Sequence, residues 1–332
     1  IARGLAEKKH DITVFCAGGS TIAGEKIRRI EPVPYPTRGH LEENRSWEIR
    51  QLLPVLGHQQ EFDVINVHYE PITLRIMADT ISVNFLEFFT VPVVSVFHNV
   101  TDIPKHVEYY RTADSIKRHM CVFISEKQRS HVPFFPHSKV IYNGIPVHDF
   151  PFEEEKEGYL LFLGRITPVK GILEAISVSE KTNIPLVIVA KVDPTDRLFY
   201  EEQVKPKIDG VLIRYAGEAN FSEKVNYLKK ARCLLFPILW EEPFGLVMIE
   251  ALACGTPVIA FRKGSIPEII QHGVNGYIVD TIEEMADAVH RTIAIDPRKC
   301  RESAESRFSS ERMVSEYEGL FKAIMDGTQP FP

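Results

Sequence analysis

The sequence lacks paired cysteines, long apolar runs and a signal-like start, which are the marks of several protein classes. Its five cysteines, Cys16, Cys121, Cys233, Cys254 and Cys300, show no paired spacing. We therefore expect neither disulfides nor a zinc or redox motif, and we interpret these cysteines as reduced core residues. No apolar run approaches the roughly 20 residues that cross a bilayer, and no signal-like segment opens the chain. A cytoplasmic protein without a transmembrane segment is expected, and peripheral contact with a membrane stays open.

The sequence also lacks an excess of positive charge and two common phosphate-binding motifs. Residues 1–150 carry 17 charged side chains of each sign, so the net charge of −6 lies entirely in residues 151–332. A nucleic-acid-binding protein would need a basic face, so this charge distribution argues against that class. The Gly-x4-Gly-Lys-[Ser/Thr] and Gly-x-Gly-x-x-Gly motifs are both absent, which argues against nucleotide hydrolysis and dinucleotide redox chemistry. No Asp-x-Asp follows a strand, and neither a metal nor another cofactor is implied.

Apolar segments of strand length alternate with helical patterns along most of the chain. A length of 332 residues, with 44% hydrophobic and 25% charged residues, predicts an ordinary globular protein of two domains. Because the strands are continuously apolar, we expect parallel sheets covered on both faces. In the first half we predict strands at Ile12–Cys16, Asp63–Val67, Val91–Phe97, Met120–Ser125 and Lys139–Tyr142. In the second half we predict strands at Tyr159–Leu163, Leu186–Ala190, Val211–Tyr215, Cys233–Phe236 and Pro257–Phe261, and helices at Gly171–Glu180, Ser222–Lys230, Gly245–Cys254, Pro267–His272, Ile282–Ala294 and Ser310–Met325.

The most informative segment runs from Trp240 to Ala251. Glu242 precedes an apolar helix and Glu250 lies about two turns inside it, so the two carboxylates could contact opposite ends of an elongated ligand. The helix N-terminal amides of Gly245 and Leu246 would face anionic groups between them. The alternative interpretation is an acid favoured by the helix dipole plus a surface glutamate. However, Glu250 interrupts a stretch too apolar for a solvated face, and a buried acid needs a partner.

A second group of residues follows a predicted strand. Gly164-Arg165 and Lys170-Gly171 flank a strand-to-helix turn, where two cations could bind a diphosphate. A neighbouring acid is the alternative partner, because a helix N-terminus disfavours positive charge.

Together these segments resemble the family-4 retaining glycosyltransferases of the GT-B fold. Glu242 and Glu250 match the family's Glu-x7-Glu signature, and Gly164 to Gly171 match its phosphate clamp. Further matches are Gly255-Thr256-Pro257-Val258-Ile259-Ala260 with the following strand, Gly264-Ser265-Ile266-Pro267-Glu268 with the Gly-Gly-x-Pro-Glu loop, and Gly273-Val274-Asn275-Gly276-Tyr277 with a hairpin. The resemblance is strong from residue 158 to about 312 and weaker before that.

The resemblance implies two Rossmann-like doubly wound domains facing a cleft. The expected boundaries are an acceptor domain at 1–148, a nucleotide-sugar donor domain at 149–312, and a last helix at 313–332 that crosses back to the first domain. It also implies a strand and a glycine-rich loop ahead of Ile1, which these 332 residues do not include.

The resemblance further implies roles for particular residues. Glu250 would bind the ribose hydroxyls, and Arg165 and Lys170 the diphosphate. Glu242, with the amides of Phe244, Gly245 and Leu246, would bind the donor around the transferred sugar. His98 ends a predicted strand and would contact a sugar. His68 also ends a predicted strand and could line the acceptor cleft, but an ordinary polar strand end is favoured. Catalysis would be leaving-group stabilisation by Arg165 and Lys170, assisted by Glu242 and His98, followed by front-face attack of the acceptor.

Other functions remain compatible with these residues. The expected donor is a UDP-, GDP- or ADP-linked sugar, and the acceptor is a sugar, a lipid-linked molecule or a small molecule. A non-catalytic homologue that binds nucleotide sugars is the first alternative. A Rossmann-type oxidoreductase and a nucleotide-sugar epimerase are less favoured, and the lysine motif that a phosphorylase uses to bind pyridoxal phosphate was not found.

Overall fold

The structure is a computed structural model with side chains. It describes residues 1–16, 27–30, 52–68, 73–75, 82–84, 88–99, 120–133, 135 and 137–328. The chain divides into two compact units. The first comprises Ile1–Ile124, Arg129–Ile141 and Met313–Pro332, and the second comprises Ser125–Gln128 and Tyr142–Arg312.

The first unit is built on a parallel sheet of four described strands. Its order is β3, β6, β7, β8, formed by Ile65–Val67, Val93–Phe97, Met120–Phe123 and Ser138–Val140. These strands are apolar because helices and loops cover such sheets, and every residue of β6 and β7 is buried. Two further pairs are described: β1 with β2 in parallel (Ile12–Phe15, Ile27–Ile30) and β4 with β5 in antiparallel (Thr73–Arg75, Ser82–Asn84).

The end of the chain packs within the first unit. The helix Ser310–Met325 places Val314 against Gly4 of the helix Ala2–Glu7, where a Cβ on Gly4 would lie 2.5 Å from the valine Cγ2. Glu318 accepts hydrogen bonds from Lys8 Nζ at 2.6 Å and pairs with His10 Nε2 at 3.0 Å. These contacts attach the last helix to the first residues of the chain.

The second unit contains a six-stranded parallel sheet in the order β11, β10, β9, β12, β13, β14. This is the strand order of the Rossmann fold, in which the order reverses between the first and fourth strands of the unit. The reversal lies here between β9 and β12. The strands, in chain order, are β9 Leu160–Arg165, β10 Leu186–Lys191, β11 Ile213–Gly217, β12 Cys233–Phe236, β13 Val258–Phe261 and β14 Gly276–Val279.

The helices of this unit occupy the predicted intervals with shifted ends. They are Ile172–Thr182, Phe221–Lys230, Leu246–Ala253, Ile266–Ile269 and Ile282–Arg291. The prediction of Pro267–His272 was too long, because Ile270 has extended backbone angles and the Asn275 side chain accepts the amide of Gln271. The prediction to Ala294 was also too long, since a separate 3-10 turn covers Thr292–Ala294.

The structure differs from the sequence-based expectations in two further elements. The segment at Gly273–Tyr277 is not a hairpin, because Gly276–Val279 pairs in parallel with Val258–Phe261 as the edge strand β14. The helix Pro297–Phe308 was not predicted at all, although its start carries strong signals. The Asp296 side chain accepts the amide of Arg298, and Pro297 occupies the first turn.

The predicted fold class is confirmed: two α/β units, each with a parallel sheet. Within the described residues, no helix is both long enough and apolar enough to cross a membrane.

Candidate functional site

The predicted donor-site residues of the second unit lie at one edge of its sheet. Ligands of open α/β sheets bind beyond the carboxyl ends of the strands, where the strand order reverses. Arg165 ends β9 and Lys170 follows it, while Glu242 lies in the loop after β12. Strand order therefore brings Lys170 and Glu242 together, although they are 72 residues apart in sequence.

Two close backbone approaches hold the loop after β12 against the turn after β9. Gly171 has a φ of +73°, and a Cβ there would lie 1.9 Å from the carbonyl oxygen of Pro237. Any other side chain would therefore displace the loop. The amide of Leu239 donates to the carbonyl of Val169 at 2.9 Å, which attaches the same loop one residue before Lys170.

Lys170 forms a largely buried ion pair with Glu242. The Nζ to Oε2 distance is 2.6 Å, and the two side chains keep 16% and 12% of their surface exposed. Trp240 Nε1 donates to the same Oε2 at 3.0 Å, and Lys170 Nζ lies 5.0 Å from the centre of the Trp240 ring. Of the two partners that the sequence left open for Lys170, the neighbouring acid is thus present in the structure.

The loop after β13 supports the backbone of the Glu242 segment. Gly264 has a φ of +53°, and a Cβ there would lie 2.2 Å from the carbonyl oxygen of Glu242. The amide of Ser265 donates to that carbonyl at 3.0 Å, and Ser265 Oγ donates to the carbonyl of Phe244 at 2.8 Å. The matched Gly-Gly-x-Pro-Glu segment therefore fixes the loop that carries Glu242.

Glu250 has a partner that the sequence analysis did not identify. Its Oε1 lies 2.7 Å from Nζ of Lys224, which lies on the helix Phe221–Lys230, and the two side chains are 14% and 24% exposed. The Lys224 ammonium also lies 5.5 Å and 5.2 Å from the ring centres of Phe150 and Phe221. Burial raises the pKa of Glu250, and the bond from Lys224 opposes that rise. The carboxylate is therefore held by one cation in an otherwise apolar setting.

The other predicted donor contacts lie at the start of the helix Leu246–Ala253. Gly245 caps this helix with a φ of +85°, and a Cβ there would lie 3.5 Å from Glu242 Cγ. Phe244 is buried, whereas Leu246 is exposed. The first amides of the helix therefore lie beside Glu242.

Arg165 stands apart from this group. Its side chain is 58% exposed, and its Nη1 reaches Asp193 Oδ2 only at 3.5 Å. Lys191 and Arg165 both lower the pKa of Asp193, Lys191 more than Arg165. No contact between Arg165 and Lys170 is described, so the structure does not join the two proposed clamp residues directly.

Glu268 makes contacts that the sequence analysis missed. Its carboxylate accepts the amides of Glu126 and Lys127, each at 2.8 Å, and the hydroxyl of Tyr142 at 3.0 Å. Burial, together with the Glu268 charge, raises the pKa of Tyr142 to about 12. Arg307 donates to the carbonyl oxygen of Glu268. Glu268 therefore accepts the first amides of another helix, Glu126–Ser130.

In the first unit, His98 directly follows β6 and contacts His68, which directly follows the neighbouring strand β3. His68 Nδ1 lies 2.9 Å from His98 Nε2. Both residues keep solvent exposure, but partial burial lowers both pKa values. The charges of His98 and of the Ile1 amino group add to the effect on His68, whose pKa falls to about 4. His68 is thus a direct partner of His98. Among the residues that the structure describes, no cluster of histidine, cysteine and acidic side chains could hold a metal ion.

The Rossmann strand order and the cations and carboxylates at the order reversal define the class. This is a doubly wound α/β protein, a class whose ligands bind beyond the carboxyl ends of the strands of a parallel sheet. Two family descriptions match the chain: Glycosyl transferases group 1 over residues 147–307 and Glycosyltransferase Family 4 over residues 1–149. The chain belongs to the family-4, group 1 glycosyltransferases.

Similar proteins agree with this assignment. An uncharacterized glycosyltransferase of Methanocaldococcus jannaschii is 28% identical over 320 residues, covering 83% of this chain and 78% of that protein. The N-acetyl-alpha-D-glucosaminyl L-malate synthase of Bacillus anthracis is 38% identical over 96 residues, 26% of this chain and 24% of the relative.

Solved structures share the fold. A sucrose-phosphate synthase from Thermosynechococcus elongatus superposes with a TM-score of 0.74 at 18% identity, covering 98% of this chain and 92% of the other. Anabaena HepE in complex with UDP-glucose superposes with a TM-score of 0.67 at 15% identity, covering 90% and 86%. At these identities the similarity shows the GT-B fold of both units.

Proposed function

We propose that the protein is a retaining glycosyltransferase that uses a nucleoside-diphosphate sugar and needs no metal. The proposal rests on two largely buried ion pairs of the second unit: Lys170–Glu242, at the strand-order reversal, and Lys224–Glu250. HepE, which shares the fold, has been solved with UDP-glucose, and this supports a nucleotide-sugar donor.

The ion pair of Lys170 is compatible with a phosphate-binding role. An ammonium group has three N–H donors, and Glu242 takes one of them. Two donors remain for the oxygens of a diphosphate, and Arg165, with its exposed guanidinium, can add a bidentate contact. As the glycosidic bond breaks, negative charge grows on the leaving phosphate, so cations aimed at it stabilise the transition state.

Glu250 is suited to bind the ribose. Lys224 contacts only Oε1 in the described structure, so Oε2 can accept hydrogen bonds from vicinal hydroxyls. Lys224 also favours the ionised form of the carboxylate, which is the stronger acceptor. Glu242, beside the first amides of the helix Leu246–Ala253, would bind the transferred sugar. The paired-carboxylate scheme of glycoside hydrolases does not apply, because the two glutamates serve different parts of the donor.

Thermal-shift screening against UDP, GDP, ADP and their sugars tests the proposal. A ligand at 100 times its dissociation constant adds about 2.7 kcal/mol of stability. Transfer to candidate acceptors is then followed by NMR, and a retained anomeric configuration is expected for the product. Binding of a nucleotide sugar without transfer would favour the non-catalytic alternative. Inversion of the anomeric configuration, or no binding to any nucleotide, would contradict the proposal.

A further inference from the structure

Asn66 lies next to the two strand-end histidines on one face of the sheet in the first unit. Strands β3 and β6 are parallel neighbours, with Asn66 opposite Val94. Because side chains alternate along a strand, Asn66 and His68 share the face of Val94, and so does His98 four residues later. Three polar side chains are therefore aligned at the carboxyl ends of adjacent strands.

These side chains form a chain of hydrogen bonds. Asn66 Nδ2 lies 3.1 Å from His68 Nε2, and His68 Nδ1 lies 2.9 Å from His98 Nε2. The histidine rings are inclined by only 15°, with centres 5.2 Å apart. Two imidazoles joined in plane by a bond of this length have centres roughly 5 Å apart, so the rings meet edge to edge in nearly one plane. This is good hydrogen-bond geometry.

The amide of Asn66 sets the direction of the chain. An amide nitrogen only donates, so His68 Nε2 must accept. A neutral imidazole carries one hydrogen, which then lies on Nδ1 of His68 and is donated to Nε2 of His98. The hydrogen of His98 consequently lies on its Nδ1. The low pKa of His68, about 4, keeps that ring neutral near pH 7.

The opposite amide orientation is disfavoured. Asn66 Oδ1 is buried and has no hydrogen-bond partner among the described residues. Reversing the amide would put the NH2 group there, leaving two buried donors unsatisfied instead of one acceptor, which costs more.

We propose that Asn66 and His68 are positioning residues that fix His98 in its Nδ1–H tautomer, so that His98 donates a hydrogen bond to a sugar hydroxyl. The assignment of a sugar hydroxyl as the acceptor rests on the proposed function. His98 is exposed, and no partner of its Nδ1 is described. In this tautomer His98 is a neutral donor that binds and orients a hydroxyl oxygen without adding charge.

NMR spectroscopy of the ring nitrogens tests the tautomer of His98 without an activity assay. In the 15N-labelled chain near pH 7.5, long-range 1H–15N correlations distinguish Nδ1–H from Nε2–H, and spectra of His68→Gln and His98→Gln assign the two rings. Both are expected as Nδ1–H. Asn66→Asp should reverse both tautomers, because a carboxylate only accepts. Asn226→Asp, which adds the same charge at an exposed helix position, should change neither. A wild-type His98 with Nε2–H, or unchanged tautomers in Asn66→Asp, would overturn the proposal.

Kinetics test the use of this tautomer. With the donor found by screening, Asn66→Asp should lower kcat about tenfold, the loss of one hydrogen bond, while the KM for the donor changes little. Asn226→Asp should transfer sugar like the wild type. Wild-type kcat in Asn66→Asp would overturn the role of His98 as a donor. If the wild-type chain transfers no sugar, the proposed function fails. The spectroscopic result still supports or overturns the control of the His98 tautomer by Asn66 and His68.

Discussion

Replacing Lys170 with methionine should destabilise the second unit strongly, because it leaves Glu242 without its cation. The carboxylate is 12% exposed and would keep only the hydrogen bond from Trp240. Removing one partner of a buried ion pair costs about 3–5 kcal/mol. Since both side chains retain slight solvent contact, we expect about 3 kcal/mol, which for a unit of this size corresponds to a fall in Tm of roughly 6–12 °C.

A double-mutant cycle isolates the interaction. Glu242→Gln should cost a similar amount, because it leaves a buried ammonium unpaired. The double variant Lys170→Met/Glu242→Gln should recover most of the loss, since replacing both charges of a buried pair is often nearly neutral. Unfolding is followed by fluorescence, to which Trp240, one of two tryptophans, contributes from within the site.

The exposed pair Lys181–Glu283 provides the control. Its side chains are 47% and 69% exposed, so the coupling between Lys181→Met and Glu283→Gln should stay below about 1 kcal/mol. For Lys170 and Glu242 we expect a coupling above about 2 kcal/mol. If those two substitutions add within about 0.5 kcal/mol, the sites are independent and the reasoning is refuted.

Three further outcomes follow from the structure. Gly171→Ala should lower Tm by several degrees, because its Cβ would overlap a carbonyl 1.9 Å away at a positive φ, whereas Gly158→Ala meets no atom within 4 Å; equal melting of the two variants would contradict this. Hydrogen bonds lower the pKa of Glu318 to about 2, so the stabilisation that Glu318 contributes is present above pH 4.5 and is lost as the pH falls toward 2. The Tm difference between wild type and Glu318→Gln should therefore shrink over that range, and a constant difference would argue against the lowered pKa. Burial raises the pKa of Glu250, so the stability that its protonated form contributes is present below pH 4.5 and is lost as the pH rises above that value. Melting curves should show the stability of wild type falling relative to that of Glu250→Gln as the pH rises, and the opposite trend would be inconsistent with burial.

The sequence predicted the class of fold because apolar segments and helical periods depend on local pattern. It could not predict which acids face which cations, since those contacts depend on strand order. Lys170 and Glu242 were both expected at the site but at different parts of the donor, and their direct pairing follows from β9 lying beside β12.

Partners on other elements escaped prediction for a similar reason. Lys224 lies on the predicted helix Ser222–Lys230, and only the packing of that helix near Glu250 brings the two side chains together. Glu268 binds amides 141 and 142 residues away, which no local pattern encodes. By contrast, the helix Pro297–Phe308 had a readable cap at Asp296 and could have been predicted.

The central claim is that Arg165 and Lys170 bind the diphosphate of the donor, and calorimetry with a nucleoside and its diphosphate tests it most directly. Arg165→Ala and Lys170→Ala should each weaken diphosphate binding by roughly 1.5–3 kcal/mol. Because the Arg165 side chain is exposed, its removal should not disturb folding. Lys181→Ala serves as the charge-matched control and should bind like the wild type. The account predicts nearly unchanged nucleoside affinity in all three variants, and equal losses for nucleoside and diphosphate would contradict it.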